Sequence, residues 1–273
     1  MNNLVNHIKV TCVALLLSLS SAKGQLMEFG VTGGGTNFIG DVGNNGFHLP
    51  TSWYGGLFYR ANFNPWWSMR ISYNQGHIWA DDADSQWGWR QQRNLSFESE
   101  ITEVALWFEF NFYEFNGRRK GAHSLYVFGG VGLFFFDPHT EFEGELIQLQ
   151  PLGTEGQGSS LSNQGLYSLS DYILPFGLGY KFSLSEHFTL GFEVGFRRTG
   201  TDYLDDVSGF YVDPLLLAEE NGPLAAALSD RSGEPRSRNG QLRGNPNRDD
   251  WYIFSGITLS FKLYSAREKC KRF

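Results

Sequence analysis

Apolar and polar side chains alternate along much of the chain, with the two-residue period that is typical of β-strands. The clearest segment covers residues 187–197, in which every second residue is Phe, Leu or Val and the others are polar or glycine. Seven further segments show the same alternation: 26–32, 53–63, 67–73, 98–113, 124–136, 172–182 and 251–263. The pattern therefore predicts eight strands, each with one apolar and one polar face.

The connections between these segments alternate in length. Three are short, namely 64–66, 116–121 and 183–186, and four are long, namely 33–52, 76–96, 137–170 and 199–250. Outer-membrane barrels have short periplasmic turns and long extracellular loops. A soluble β-sandwich, the alternative, has no reason to sort its loops in this way. The predicted fold is all-β, a transmembrane antiparallel β-barrel of about eight strands in the cell outer membrane.

Charged residues fall on the polar faces of the predicted strands. They are Glu28, Arg60, Arg70, Glu103, Glu109, Lys181, Glu193, Arg197 and Lys262. An eight-stranded barrel is just wide enough for side chains to fill its interior, and unpaired charges are costly at membrane depth. We therefore expect these acids and bases to pair across the lumen, which predicts a plugged barrel rather than a pore.

The composition suits a β protein with many turns better than a helical protein. Aromatic residues make up 16% of the chain, which also has 33 glycines. Several aromatics fall near predicted strand ends, where an interfacial girdle and ordinary enrichment in strands both account for them: Trp53, Trp66, Trp67, Tyr113, Phe115, Tyr172 and Trp251. The net charge of −7 argues against binding to nucleic acid.

Residues 1–24 have the pattern of a secretory signal peptide. A weakly basic start precedes an apolar run over residues 10–19, and Ala22-Lys23-Gly24 is a small-x-small cleavage site. A short anchor helix is the alternative, although the run is too short to span a bilayer. The predicted organisation is a signal peptide (1–24), a barrel domain (25–263) and a periplasmic tail (264–273). Cleavage would leave Cys270 as a single cysteine.

The sequence gives little indication of catalysis. It contains no GxSxG, HExxH, CxxC or P-loop motif, so we predict no catalytic residue, cofactor or metal. His77 falls near an outer strand end with Asp81 and Asp82 nearby, which leaves a rim enzyme as a minor alternative. The carboxylates of the 201–214 loop either cap turns, the favoured interpretation, or hold Ca²⁺.

That loop also carries a family resemblance. Residues 197–208 read RRTGTDYLDDVS, with Asp202, Tyr203, Asp205 and Asp206 in the most specific part. This stretch, together with 28–30 and 37–41, resembles the PorG family, outer-membrane barrels of the type IX secretion system in Bacteroidetes. The resemblance covers most of residues 25–263. It implies a non-enzymatic component of protein export that contacts a periplasmic ring of PorK and PorN type.

The predicted tail is the candidate for that contact. It places Cys270 among four basic residues, Arg267, Lys269, Lys271 and Arg272. We expect either contact with a periplasmic partner, through charge or an intermolecular disulfide, or a disordered tail with an idle thiol. The expected partners are thus outer-membrane lipid and the ring proteins. A structural or adhesive barrel that displays extracellular binding loops remains the alternative function.

Overall fold

The computed structural model describes residues 26–44, 49–115, 117, 119–233 and 238–263. Strands in these residues are β1 (Leu26–Ile39), β2 (Ser52–Asn62), β3 (Trp67–Asp81), β4 (Ser96–Asn111), β5 (His123–Phe135), β6 (Pro138–Phe142), β7 (Glu145–Gln148), β8 (Ser170–Ser183), β9 (Phe188–Thr199) and β10 (Trp251–Leu263). The α-helices are α1 (Gly88–Arg93), α2 (Pro214–Glu220) and α3 (Pro223–Ser229). The predicted signal peptide and tail lie outside the described residues.

Eight of the strands close into an antiparallel barrel, as predicted. Going round the barrel, the order is β1, β2, β3, β4, β5, β8, β9 and β10. β1 pairs with β10 from Met27↔Leu263 to Ile39↔Trp251, so the sheet has no free edge there. The hairpin of β6 and β7 stands outside the ring and pairs with the start of β4. The closed ring excludes the β-sandwich alternative.

The two faces of the barrel differ in the way that a bilayer requires. Outward positions carry a continuous band of exposed apolar side chains, including Phe29, Val31, Leu57, Ile71, Phe108, Val131, Leu178, Phe192 and Leu259. Inward positions carry buried charged and polar side chains. Apolar residues face hydrocarbon and polar residues face the lumen only in a membrane barrel, so the protein is an outer-membrane β-barrel. Within the described residues, no helix is both long and apolar enough to cross a bilayer.

Two strands extend farther than the alternation predicted. β1 continues to Ile39 and β3 to Asp81, although loops were expected from residues 33 and 76. Apart from Ile39 and Trp79, their outward residues beyond those points are glycine or polar, because these rows have left the hydrocarbon and no longer need apolar side chains. The backbone still gains from pairing there. The barrel therefore projects beyond the membrane on the side of the long loops.

The loops that follow β1, β3, β7 and β9 fold together over this end, and we call this structure the cap. Residues 214–229 form two helices and not one, because Gly222 has φ = 100° and Pro223 starts a new helix. Farther along the same loop, Arg243 is 3% exposed and its backbone N–H donates to the carbonyl of Gly209. The cap is thus a packed structure with buried polar side chains.

The opposite end is closed by short turns. Lys262 reaches down from β10, and its Nζ donates to the carbonyl oxygens of Gly117 and Ser185 and to Ser183 Oγ. Phe115, expected in the aromatic girdle, is instead buried at this end, with Lys181 Nζ 5.0 Å from its ring centroid. It turns inward because a cation inside the barrel offers a cation–π contact.

Candidate functional site

In the half of the lumen that is farther from the cap, the charged side chains surround Glu109, which is fully buried. Its carboxylate lies 3.0 Å from Arg60 Nε, 3.2 Å from Arg70 Nε and 3.3 Å from Lys181 Nζ. Strand register explains the grouping, because Arg60 pairs directly with Arg70 across β2 and β3 and with Glu28 across β1 and β2. Glu28 binds Arg60 at 3.1 Å. These charges neutralise one another in the interior.

A second layer of charges lies closer to the cap. Arg197 binds Glu103 at 3.2 Å, and the Tyr252 hydroxyl donates to the same carboxylate at 2.8 Å. Glu193 accepts from Arg70 and from the Tyr126 hydroxyl. All nine charged residues that the sequence assigned to the lumen, including Lys262, lie inside the barrel. Successive side chains along a strand point to opposite faces, and this alternation determines the placement of the nine residues.

The lumen is filled rather than open. Arg70 lies over the Trp107 ring at 4.8 Å and Arg197 over the Phe254 ring at 4.3 Å, so the cations pack against aromatic walls. A cavity between these groups has a volume of about 20 Å³, which is room for one water molecule. The arrangement is therefore a charge-paired plug, as expected for a barrel of eight strands.

The 202–208 motif ties the cap to the barrel. Asp205 accepts hydrogen bonds from the backbone N–H groups of Asp41 and Val42, which follow β1, and from that of Val207. Asp206 has φ = 63° and accepts from Thr154 Oγ1 and the Tyr167 hydroxyl. These carboxylates act as fixed acceptors that hold three loops together.

Tyr203 belongs to the same structure. Its ring stacks on Tyr167 with centroids 4.7 Å apart and an angle of 6°. Its hydroxyl donates to Gln164 at 2.9 Å. The motif therefore forms part of the packing between the loop after β7 and the loop after β9, and the aromatic rings hold it in place.

Two arginines that sequence reasoning missed complete the cap. Arg93 donates to both oxygens of Asp82, at 2.6 and 2.9 Å, and to the carbonyls of Asp41 and Arg243. Arg243 binds Glu155 at 3.0 Å and lies 3.7 Å from Asp206. Both residues lie in predicted loops, where no periodicity marks a buried side chain. A buried arginine in a loop is detectable only once its partners are known.

The acidic residues of the cap share a weakly compensated environment. Burial, with the charge of Asp41, raises the pKa of Asp205 well above its usual range, and burial raises that of Asp250 in the same way. Burial also raises the pKa of Asp202 to about 7. In the described part of the chain, no group of three His, Cys, Asp or Glu residues is placed to hold a metal ion. Asp205 and Asp250 accept hydrogen bonds from loop backbone N–H groups, which is the role of turn acceptors.

His77 lies near a strand end, but its partners differ from those expected. Asp81 accepts from the backbone N–H of Ala83, and Asp82 binds Arg93. Neither aspartate is the partner of His77, whose ring nitrogens lie instead beside Ser52 and Glu98. The expectation of a His77–Asp81–Asp82 group is wrong, because β3 continues past His77 and turns both aspartates into the cap.

Comparison with known proteins places the chain in a family. The family model described as "Domain of unknown function (DUF6089)" matches residues 7–210. No curated protein matches the sequence. Solved structures of similar shape include Ail, the attachment invasion locus protein of Yersinia pestis, at 12% identity and a TM-score of 0.41, covering 88% of this chain and 99% of that chain.

Two proteins of Pseudomonas aeruginosa are also similar in shape. The N-terminal β-barrel domain of OprF is 8% identical with a TM-score of 0.38, and the match covers 88% of this chain and 97% of that chain. OprG is 12% identical with a TM-score of 0.35, and the match covers 89% and 97%.

Proposed function

Because the chain belongs to the DUF6089 family and forms a plugged outer-membrane barrel, we propose that it is a non-conducting component of a protein-export apparatus of the type IX kind. The observation that carries the proposal is the filled lumen, in which Glu109 alone contacts three cations. A polypeptide cannot pass through such an interior. The barrel therefore acts by holding partners at the membrane, through its cap on one side and its turns on the other.

The cap supports this function because it is built to keep its shape. Asp205, Arg93 and Arg243 connect the loops that follow β1, β3, β7 and β9 through buried hydrogen bonds. The sequence that resembles PorG, residues 197–208, lies at the centre of these bonds. A preorganised surface loses little entropy on binding. The export role makes the motif a structural element that presents the cap to other proteins of the apparatus.

On the periplasmic side, we propose contact with a ring of PorK and PorN type. β10 ends at Leu263, at the end of the barrel with the short turns. The basic residues that follow, Arg267, Lys269, Lys271 and Arg272, and Cys270 would meet the ring from there. Charge attraction and a disulfide are separable, since Cys270→Ser removes only the second.

Co-purification tests the export role directly. An affinity tag in the exposed turn at Glu143 and Gly144, between β6 and β7, leaves both termini and the periplasmic turns untouched. We expect mild-detergent extracts to yield periplasmic ring proteins together with the tagged barrel, and deletion of the gene to stop secretion. Isolation of the barrel alone, from cells whose secretion survives the deletion, would contradict the proposal.

The tail is tested in the same preparation. Reversing Arg267, Lys269, Lys271 and Arg272 to glutamate is expected to reduce ring recovery, and Cys270→Ser to remove any disulfide-linked band on a non-reducing gel. Neutral replacement of the exposed Arg198, which pairs with Asp249 on the cap side, is the matched control. Ring recovery that is unchanged in the reversed tail would locate the contact elsewhere.

Exposed aromatic residues on the cap favour a second candidate, a barrel that binds a ligand outside the cell. Trp87 and Trp89 lie at the start of α1 and are both more than half exposed. Exposed aromatics on a rigid surface are typical binding residues. This function predicts that Trp87→Ala with Trp89→Ala reduces attachment of whole cells to a surface or host glycan while secretion continues.

A further inference from the structure

Three residues from three neighbouring strands meet in the barrel wall at the end that carries the long loops. Ser52 Oγ lies 2.9 Å from His77 Nδ1, and His77 Nε2 lies 3.4 Å from Glu98 Oε2. This is the order of nucleophile, base and orienting carboxylate found in serine hydrolases. We propose that Ser52, His77 and Glu98 form a catalytic triad that hydrolyses acyl esters of lipids in the outer leaflet. This activity is independent of the export role.

The hydrogen-bond pattern suits proton transfer. In the tautomer that carries its proton on Nε2, His77 accepts the Ser52 hydroxyl at Nδ1. The negative charge of Glu98, 3.4 Å from Nε2, favours this tautomer, which acts as a base. Glu98 is 42% exposed at its side chain and His77 20%, so water and a substrate both reach the group.

The position along the barrel identifies the substrate class. His77 and Glu98 occupy outward positions of β3 and β4, beyond Tyr73 and Val104, the last exposed apolar residues of these strands. With about 3.3 Å per residue and a tilt of about 45°, His77 lies roughly 9 Å beyond Tyr73. That is the level of the headgroups, where the ester bonds of membrane lipids lie.

Nearby residues fix the triad and give it an apolar side. Thr36 Oγ1 donates to the carbonyl of His77, and the Thr51 N–H donates to the carbonyl of Thr36 at 2.9 Å. Trp79 Nε1 donates to the carbonyl of Thr51 at 3.0 Å, just before Ser52. Trp53, the next residue of β2, is 57% exposed and faces the lipid. An acyl chain can rest against this indole with its ester at the end of the strands, where Ser52 and His77 meet.

The reaction needs only the ester and water. Ser52 Oγ attacks the ester carbonyl carbon as His77 Nδ1 takes its proton, and a tetrahedral intermediate forms. Collapse breaks the bond to the alcohol oxygen, which leaves with the proton from His77, and the acyl group stays on Ser52. Water then attacks with His77 as base, and the fatty acid leaves as Ser52 regains its proton.

Labelling with a biotinylated fluorophosphonate tests the nucleophile in the purified full-length barrel. We expect labelling of the native protein and hydrolysis of p-nitrophenyl palmitate, both lost in Ser52→Ala. His77→Ala should slow hydrolysis roughly 10²–10⁴-fold, the range for loss of a general base. The shift in gel mobility between unheated and heated samples verifies that each variant is folded. A folded native barrel that neither labels nor hydrolyses the ester would overturn the proposal.

Glu98 is a positioning residue and has a matched control. Glu98→Gln should lower kcat with KM unchanged, and Glu98→Asp should restore part of kcat. Glu145→Gln alters an exposed carboxylate of β7, away from this group, and should leave both constants unchanged. Equal effects of Glu98→Gln and Glu145→Gln would contradict the assigned role.

Two lipid sources of the ester are distinguished with mixed micelles of phosphatidylethanolamine or of lipopolysaccharide. Fatty acid released from either one, and lost in Ser52→Ala, supports the proposal and identifies the source. Release from neither would overturn it.

Discussion

The replacement Glu109→Gln is the strongest test of whether charge pairing in the lumen stabilises the barrel. Gln has nearly the same shape as Glu but no charge. The native network sets four acids against five bases inside the barrel, and the variant would leave three acids. Arg60, Arg70 and Lys181 would then face only Glu28 and Glu193 nearby. Because breaking a buried ion pair costs about 3–5 kcal/mol, we expect the free energy of unfolding to fall by that amount.

Urea unfolding in detergent micelles measures this loss. With a slope of about 2 kcal/mol per molar urea, the unfolding midpoint should fall by about 1.5–2.5 M. The fraction folded is read from the mobility of unheated samples. Glu145→Gln, at an exposed position on β7, is the matched control and should leave the midpoint unchanged.

A second substitution separates charge from packing. In the Glu109→Gln background, Lys181→Met removes one excess cation and should recover part of the lost stability. A midpoint for Glu109→Gln within about 0.3 M of the native value would refute the reasoning. It would mean that water enters the lumen and screens the three cations.

Further predictions concern the cap and the barrel wall. Burial raises the pKa of Asp202 to about 7 and that of Asp206 to about 6, so the folded cap binds protons more tightly than the unfolded chain. The stability of the cap should therefore be complete below about pH 4 and fall as the pH rises through 6 to 7. Hydrogen exchange should show this as lower amide protection factors in the cap, and protection that rises with pH would contradict it. Arg93→Met leaves a buried carboxylate unpaired and should expose the cap loops to protease on intact cells. Tyr252→Phe removes a buried hydrogen bond and should cost about 1–3 kcal/mol in urea unfolding. Gly130→Val should prevent closure, because a Cβ there would lie 2.0 Å from the carbonyl oxygen of Leu106, which a normal folded fraction on the gel would disprove.

The barrel could be predicted from the sequence because the bilayer imposes a simple pattern. Lipid on one side and a polar lumen on the other force a period of two, and β10 matches the predicted segment at both ends. The pattern faded where β1 and β3 leave the hydrocarbon, so the strand ends at Ile39 and Asp81 were missed. The alternation of side chains also predicted that Glu109 lies inside the barrel. It could not predict which cations Glu109 contacts, since that depends on strand register and barrel diameter.

Neither the contacts within the cap nor the group of Ser52, His77 and Glu98 could be predicted from the pattern of the sequence. Arg93 and Asp82 are close in sequence, yet their burial depends on Arg243, which is far along the chain. Ser52 and Glu98 have no common motif with His77, and they meet only because three strands lie side by side. Residues that act together across strands leave no local signal in a single sequence.

The cross-lumen ion pairs also dictate an order of events during biogenesis. Lys181 and Glu109 are 72 residues apart in the chain, Arg197 and Glu103 are 94 apart, and Arg70 and Glu193 are 123 apart. Glu103 of β4 thus meets its basic partner only with β9, and Arg70 and Glu109 gain further counter-ions only with β9 and β8. A half-made barrel in lipid would hold the bare carboxylate of Glu103 in hydrocarbon. Insertion must therefore wait for the late strands, and the last hairpins decide whether the first ones enter the membrane at all.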